Sequence, residues 1–214
     1  LLVGASANDD GDTSAGKVYL FSGADTGELD MDSSLATIEG DERYLGLGVN
    51  GTLGGEADLN DDGVADLVIA SPESDVNDTN DGGVFVFFGP VSGDLELADA
   101  DVVIGHSDEG ISDLGMSLLV GTDWDGDGSE DLAMSAPLSS LTVDDAGALF
   151  IQQGPLSVDV DLDASAWLTA EGSEDDRLGS DLDAGDFDGD GAEDLLIGSG
   201  RRSMGSNSAG HTIG

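Results

Sequence analysis

A nine-residue acidic loop occurs three times, and each copy runs straight into a short apolar segment. The copies are Asp58-Leu-Asn-Asp-Asp-Gly-Val-Ala-Asp66, Asp123-Trp-Asp-Gly-Asp-Gly-Ser-Glu-Asp131 and Asp186-Phe-Asp-Gly-Asp-Gly-Ala-Glu-Asp194. They lead into Leu67–Pro72, Leu132–Pro137 and Leu195–Gly200. Oxygen-bearing side chains stand at loop positions 1, 3, 5 and 9, with Gly at position 6. A hard cation that takes six to eight oxygens needs several carboxylates converging on one point, and a Gly for the tight turn. One such loop could arise by chance in an acidic chain; three in register, each with the same apolar sequel, could not. Each loop is expected to hold one Ca2+. The side-chain ligands would be Asp58, Asn60, Asp62 and Asp66; Asp123, Asp125, Asp127 and Asp131; and Asp186, Asp188, Asp190 and Asp194. The main-chain carbonyls of Val64, Ser129 and Ala192, at position 7, complete the three sets.

These loops are not EF-hands. An EF-hand carries a bidentate Glu at position 12 and continues as a helix. Position 12 here falls on Ile69, Met134 and Ile197, and the exit runs are short, apolar and end in Gly, Ser or Pro. Such runs read as buried strands. Each loop therefore joins two strands, with its last Asp at the start of the second.

The whole chain repeats with the loops. Asp66, Asp131 and Asp194 lie 65 and 63 residues apart, and the same apolar segments return in every period. Segment A opens Leu-Gly, at Leu47–Leu53, Leu114–Val120 and Leu178–Leu182. Segment B follows the acidic loop, and its first copy is Leu1–Ser6. Segment C is Gly16–Gly23, Gly83–Gly89, Gly147–Gly154 and Gly210–Gly214; segment D is Leu35–Gly40, Asp101–Gly105 and Ala166–Gly172. Helical periodicity is absent. Four short strands per repeat of about sixty residues is the pattern of a β-propeller blade. The expected fold is all-β, built of four-stranded antiparallel blades. Strands of one blade occupy 1–40, repeats follow at 41–105 and 106–172, and an incomplete repeat spans 173–214.

The order of motifs resembles FG-GAP repeats: Leu-Gly, then DxDxDGxxD, then an apolar run ending Gly-Ala-Ser6, Ala-Ser-Pro72 or Ser-Ala-Pro137, then Gly-Val-Phe-Val-Phe. Such repeats build the seven-bladed propeller at the head of integrin alpha subunits and occur in many bacterial surface and secreted proteins. The resemblance covers essentially the whole chain and implies about half of a seven-bladed ring. Leu-Gly stands where the family has Phe-Gly, and Gly198-Ser-Gly200 where it has Gly-Ala-Pro. The first residues align with the middle of a repeat, so a fragment is expected, with any export signal upstream.

Charge narrows the partners. The chain has 47 acidic and 5 basic residues and a net charge of −42. Phosphate contacts need a basic footprint, so nucleic acid is excluded as a partner. Three divalent ions would leave about −36, and the excess acid points to a high-salt habitat or to a solvated surface. Cysteine is absent, and no run is apolar enough to span a membrane.

Several features imitate sites. Asn8-Asp-Asp-Gly-Asp12 reads as a polar turn. Asp159-Val-Asp-Leu-Asp163 lacks the position-6 Gly and reads as a strand with one wet face. Trp124 and Phe187, at loop position 2, are expected to pack against the blade. His106 and His211 stand alone, and Arg201-Arg202 reads as a solvated pair.

Up-and-down connectivity places the calcium loops and C–D loops at one end of the blades. The B–C loops (Pro72–Asp81, Pro137–Asp145, Gly200–Ser208) and D–A loops (Gly40–Tyr44, Gly105–Asp113, Gly172–Arg177) lie at the other. Variable loops on a rigid scaffold are where recognition usually lives, and the resemblance also implies that this face meets ligands. The reading is an extracellular or cell-surface binding or adhesion module for a protein or glycan, stabilised by Ca2+ and not an enzyme. Two alternatives stay open. One is a propeller attached to, or forming part of, a secreted hydrolase or lyase; the other is a purely structural surface-assembly element. No nucleophile elbow, His–Glu metal motif or phosphate loop selects a catalytic pair from so many carboxylates.

Overall fold

The computed structural model describes residues 1–8, 15–24, 27–40, 47–48, 52–76, 81–107 and 110–200. The expected strand at Gly210–Gly214, the turn at Asp9–Asp12, Arg201, Arg202 and His211 lie outside them, as do parts of several loops. The strands are β1 (Leu2–Ala5), β2 (Lys17–Leu20), β3 (Ala36–Glu39), β4 (Leu53–Ala57), β5 (Asp66–Ser71), β6 (Gly83–Phe87), β7 (Gly93–Glu96) and β8 (Val102–Gly105). They continue as β9 (Leu118–Thr122), β10 (Asp131–Ala136), β11 (Ala148–Gln152), β12 (Val160–Asp161), β13 (Leu168–Glu171), β14 (Leu178–Gly185) and β15 (Asp194–Ser199). A one-turn helix, α1, spans Leu162–Ser165.

Antiparallel pairing runs A–B–C–D within each blade. The second blade pairs β4 with β5, β5 with β6 and β6 with β8; the third pairs β9, β10, β11 and β13 in the same order. The first blade holds β1, β2 and β3, and the fourth holds β14 and β15. This is an all-β fold of propeller-type blades, with no closed barrel.

β7 was not legible in the sequence, whereas β12 falls within Asp159–Asp163, read there as a strand with one wet face; the partner of neither was legible. β7 pairs in parallel with β3, and β12 pairs in parallel with β8. Each lies in the C–D connection of one blade and covers the outer edge of the blade before it, occupying backbone groups that an open edge would present. Asp159 Oδ1 accepts from the Val103 amide, and the Ser107 hydroxyl donates toward Asp161 and Asp163. The alternating aspartates thus lie along a two-residue strand that turns into α1, where Leu162 is buried.

Burial explains the continuous apolar B strands. Side chains alternate across a strand, so a strand sandwiched between two blades must be apolar on both faces. Leu67, Ile69, Phe85 and Phe87 face Val18 and Ile38 of the first blade. Val68, Ala70, Val84 and Val86 face Leu132, Met134, Ala148 and Phe150 of the third. On the third blade's other side, Ala133, Leu149 and Ile151 meet Leu182, Leu195 and Ile197. Accordingly β5 and β10 are buried throughout, whereas β15, with a neighbour on one side among the described residues, is half-buried along its length.

At Leu47 and Leu114 the Leu-Gly motif is an inter-blade clasp ahead of its strand, whereas Leu178 both clasps and opens β14. β4 and β9 begin at Leu53 and Leu118, four or more residues after Leu47 and Leu114. The amides of Leu47, Leu114 and Leu178 donate to the carbonyls of Ala15, Asp81 and Ala146 on the preceding blade. The glycines that follow take φ of +81°, +92° and +88°. A Cβ on Gly115 would overlap the Ala70 side chain of the neighbouring B strand, so only glycine permits this approach.

Candidate metal centres

One hydrogen-bond pattern recurs in all three loops. The position-1 carboxylate accepts the position-6 amide: Asp58 from Gly63 at 2.8 Å, Asp123 from Gly128 at 2.9 Å and Asp186 from Gly191 at 3.1 Å. The position-3 side chains, Asn60, Asp125 and Asp188, accept from the position-5 amides at 2.9, 2.9 and 3.0 Å. The position-5 carboxylates, Asp62, Asp127 and Asp190, accept the amides of Val64, Ser129 and Ala192, each at 2.8 Å. The position-6 glycines Gly63, Gly128 and Gly191 sit at φ +86°, +99° and +94°, a region open to them because they lack a Cβ. The chain thus curls back on its own carboxylates.

The position-9 aspartate anchors each loop to its blade. Asp66 and Asp131, which open β5 and β10, are 3% and 0% exposed. Their Oδ2 atoms accept the position-2 amides of Leu59 and Trp124 at 2.8 and 2.9 Å. Their Oδ1 atoms accept the amides of Gly89 and Gly154, at the start of the C–D connections, at 2.9 and 3.1 Å. Asp194 repeats the first contact with Phe187 at 2.9 Å. Burial pushes both the Asp66 and Asp131 carboxyls above their ordinary value. The amide bonds oppose that rise, and Asp58 and Asp62, or Asp125 and Asp123, add to it. A second positive partner for these buried oxygens is what a cation supplies.

Convergence differs among the loops. Ligand-capable oxygens of Asp123, Asp125 and Asp131 lie within 4.8 Å of one another, as do those of Asp186, Asp188 and Asp190. Asp127 and Asp194 stand outside these trios. In loop 58–66 no three carboxylates converge so closely among the described residues; position 3 there is Asn60, whose Nδ2 donates to Asp62 Oδ2 at 3.1 Å. An all-oxygen set of this kind, with no sulfur or imidazole, suits a hard divalent cation.

Residues outside the motif complete the loops. Gln153 Nε2 donates to Asp125, and the Leu156 amide donates to the Leu59 carbonyl at 2.6 Å. Glu130 Oε2 accepts the Asp58 amide at 2.6 Å, and Ser129 Oγ donates to Asp61 Oδ2 at 3.0 Å, both across a blade boundary. Glu193 Oε2 accepts the Thr122 hydroxyl at 2.8 Å across the next. The signal in the sequence is Glu at position 8 of two loops, and Gly-Pro after two C strands.

Position 2 fills the groove toward the next blade. Leu59 is 1% exposed between the second and third blades, and Trp124 packs between the third and fourth. Phe187 departs from the expected packing: it is 62% exposed, because no described residue of a following blade lies over it.

The opposite end of the blades gathers the B–C and D–A loops. Ser140 donates its amide to Gly110, Asp175 to Asp144, and Arg177 Nη2 to Asp145 Oδ2 at 2.8 Å. His106 lies buried and belongs to neither cluster of three metal-type ligands among the described residues. No helix among the described residues is long and apolar enough to cross a membrane.

Residues 51–87, which run from β4 through the first acidic loop to β6, match the FG-GAP repeat family model. Over 104 residues the chain is 36% identical to integrin alpha-4 of Xenopus laevis. That stretch is 46% of this chain and 9% of the relative's length. Residues 51–87 thus carry an FG-GAP repeat within a chain of repeating blades and acidic loops, and the chain is similar to an integrin alpha subunit over the shared stretch.

Proposed function

We propose that this chain is a calcium-stabilised binding module of an extracellular or cell-surface protein, recognising a protein or glycan through its B–C and D–A loops. The observation that carries the calcium part is the single hydrogen-bond scheme shared by three acidic loops, two of which bring three carboxylates to one point. Asp58, Asn60, Asp62 and Asp66, Asp123, Asp125, Asp127 and Asp131, and Asp186, Asp188, Asp190 and Asp194 would hold the ions, with the carbonyls of Val64, Ser129 and Ala192. Bound calcium would neutralise carboxylates that otherwise repel by about 1 kcal/mol per pair even in water-like dielectric. Residues 41–105 and 106–172 are read as whole repeats, within a ring of the seven-bladed type.

The role is non-catalytic. FG-GAP repeats are a binding and structural fold, and the buried Asp66 and Asp131 carboxylates each accept two backbone amides. Recognition is assigned to the end away from the acidic loops, because segments 137–145 and 172–177 differ from their counterparts while the acidic loops repeat. That end also carries the exposed Leu138 and Val143 beside the Arg177–Asp145 pair.

Calorimetric titration with calcium at about 0.15 M salt tests the first part, with three ions per chain expected. Zero stoichiometry, with a melting curve indifferent to chelator, would overturn it. Protein and glycan arrays test the second part. Ligands captured by the chain should be lost on replacing Leu138 and Val143 with serine, whereas capture unaffected by that change would place recognition elsewhere.

A further inference from the structure

We propose that loops 58–66 and 123–131 fill cooperatively, with Glu130 and the Ser129–Asp61 contact as the coupling between them. The inference rests on the calcium reading above and concerns how its sites communicate.

Two contacts cross the blade boundary, and both end in the ligand-bearing part of a loop. Glu130 stands between Ser129, whose carbonyl is a proposed ligand, and Asp131, the buried anchor. Its Oε2 accepts the amide of Asp58, the first ligand of the preceding loop, at 2.6 Å. Ser129 Oγ donates to Asp61 Oδ2, one residue before Asp62, at 3.0 Å. A third tie runs through the C–D connection of the third blade. Gly154 and Gln153 bond to Asp131 and Asp125, and Leu156 two residues on donates to the carbonyl of Leu59 at 2.6 Å. Ordering Asp125, Ser129 and Asp131 around one point therefore orders the backbone from which Asp58 and Asn60 project.

Filling either loop orders the other, and by linkage each ion tightens the other equally. Coupling to loop 186–194 is weaker. Glu193 reaches only the side chain of Thr122, and position 7 there is Ala192, which has no hydroxyl to bridge. Direct repulsion between two ions has the opposite sign, so the two effects separate in one experiment.

Terbium luminescence supplies the readout, because Trp124 is part of loop 123–131 and can sensitise an ion held there. A Trp167→Phe background removes the other indole. Loop 58–66 is disabled by Asp58→Ala, or by the milder Asp62→Asn should the first variant fail to fold. The terbium affinity of loop 123–131 should then fall by about fivefold or more, the lower end of ordinary coupling. With Glu130→Ala and Asp61→Gly already in place, the same change should matter less than about twofold. Asp61→Gly suits the φ of +61° at that residue. Glu193→Ala should leave the first effect intact. An unchanged or tighter affinity after disabling loop 58–66 would overturn the coupling alone. Absence of any Trp-sensitised signal displaceable by calcium would overturn the calcium reading, and the coupling with it.

Discussion

Replacing Asp131 with Asn separates the anchor role of this residue from its proposed role as a ligand. Asp131 is fully buried and accepts two amides, from Trp124 at 2.9 Å and Gly154 at 3.1 Å. Asparagine keeps one acceptor oxygen and turns an NH2 group toward the other amide, so one buried donor loses its partner. That costs about 1–3 kcal/mol. Removing a negative charge near Asp123 and Asp125 works the other way, by about 1 kcal/mol per pair at water-like screening. Asp127→Asn is the control, since Asp127 is exposed and its Oδ1 can still accept the Ser129 amide. Urea unfolding in chelator should therefore place Asp131→Asn about 1–3 kcal/mol below Asp127→Asn. For a chain of this length the matching melting difference is about 2–4 °C per kcal/mol. Adding calcium to a hundredfold excess over Kd should stabilise the unaltered protein by about 2.7 kcal/mol per site. Asp131→Asn should lose that increment at one site. Equal stability of the two variants in chelator would refute the anchor, whatever calcium does.

Gly115→Ala places a Cβ against Ala70 at a φ of +92° and should lower stability by about 1–3 kcal/mol, read as a lower urea midpoint with unchanged slope. Glu171 accepts from the Thr142 hydroxyl and amide at 2.6 and 2.7 Å, and chiefly the hydroxyl bond holds its carboxyl below the ordinary 4.5. A folded-state pKa below the unfolded one gives stability that is full above 4.5 and fades as pH falls through the folded value. The gap between wild type and Thr142→Val should therefore shrink below pH 4.5, as followed by melting from pH 6 to 3. Net charge of −42 implies that raising KCl from 0.05 to about 1 M in chelator should increase the melting temperature by screening self-repulsion, and a flat or falling curve would contradict it.

The blade plan was legible because strand and loop chemistry are local. A strand buried on both faces must be apolar throughout, so Leu67–Ser71 and Leu132–Ala136 announced themselves, as did the C strands that alternate against two neighbouring blades. The acidic loops were legible for the same reason: their ligand spacing and position-6 glycines are demands of a nine-residue turn. The hydrogen bonds that shape positions 1 to 7 run within those nine residues.

What escaped the sequence depends on a second blade. The parallel pairings of β7 and β12 exist because each strand lies along the edge of a preceding blade; β7 carries little strand signal of its own, and the alternation at Asp159–Asp163 announced β12 but not its partner. Leu-Gly opens a strand only at Leu178; at Leu47 and Leu114 it precedes the strand, and all three amides clasp the preceding blade at Ala15, Asp81 and Ala146. Trp124 and Phe187 occupy the same loop position, yet one is packed and the other exposed. Their surroundings come from the next repeat and not from their own. Glu130 and Glu193 were indistinguishable from the many solvated acids of this chain until the structure placed Asp58 and Thr122 within reach. Loop geometry is decided by forces acting over a few residues, so the sequence alone determined it. Contacts between repeats join residues far apart in the chain, such as Glu130 with Asp58 or Leu47 with Ala15, and only the packing of blade on blade decided those.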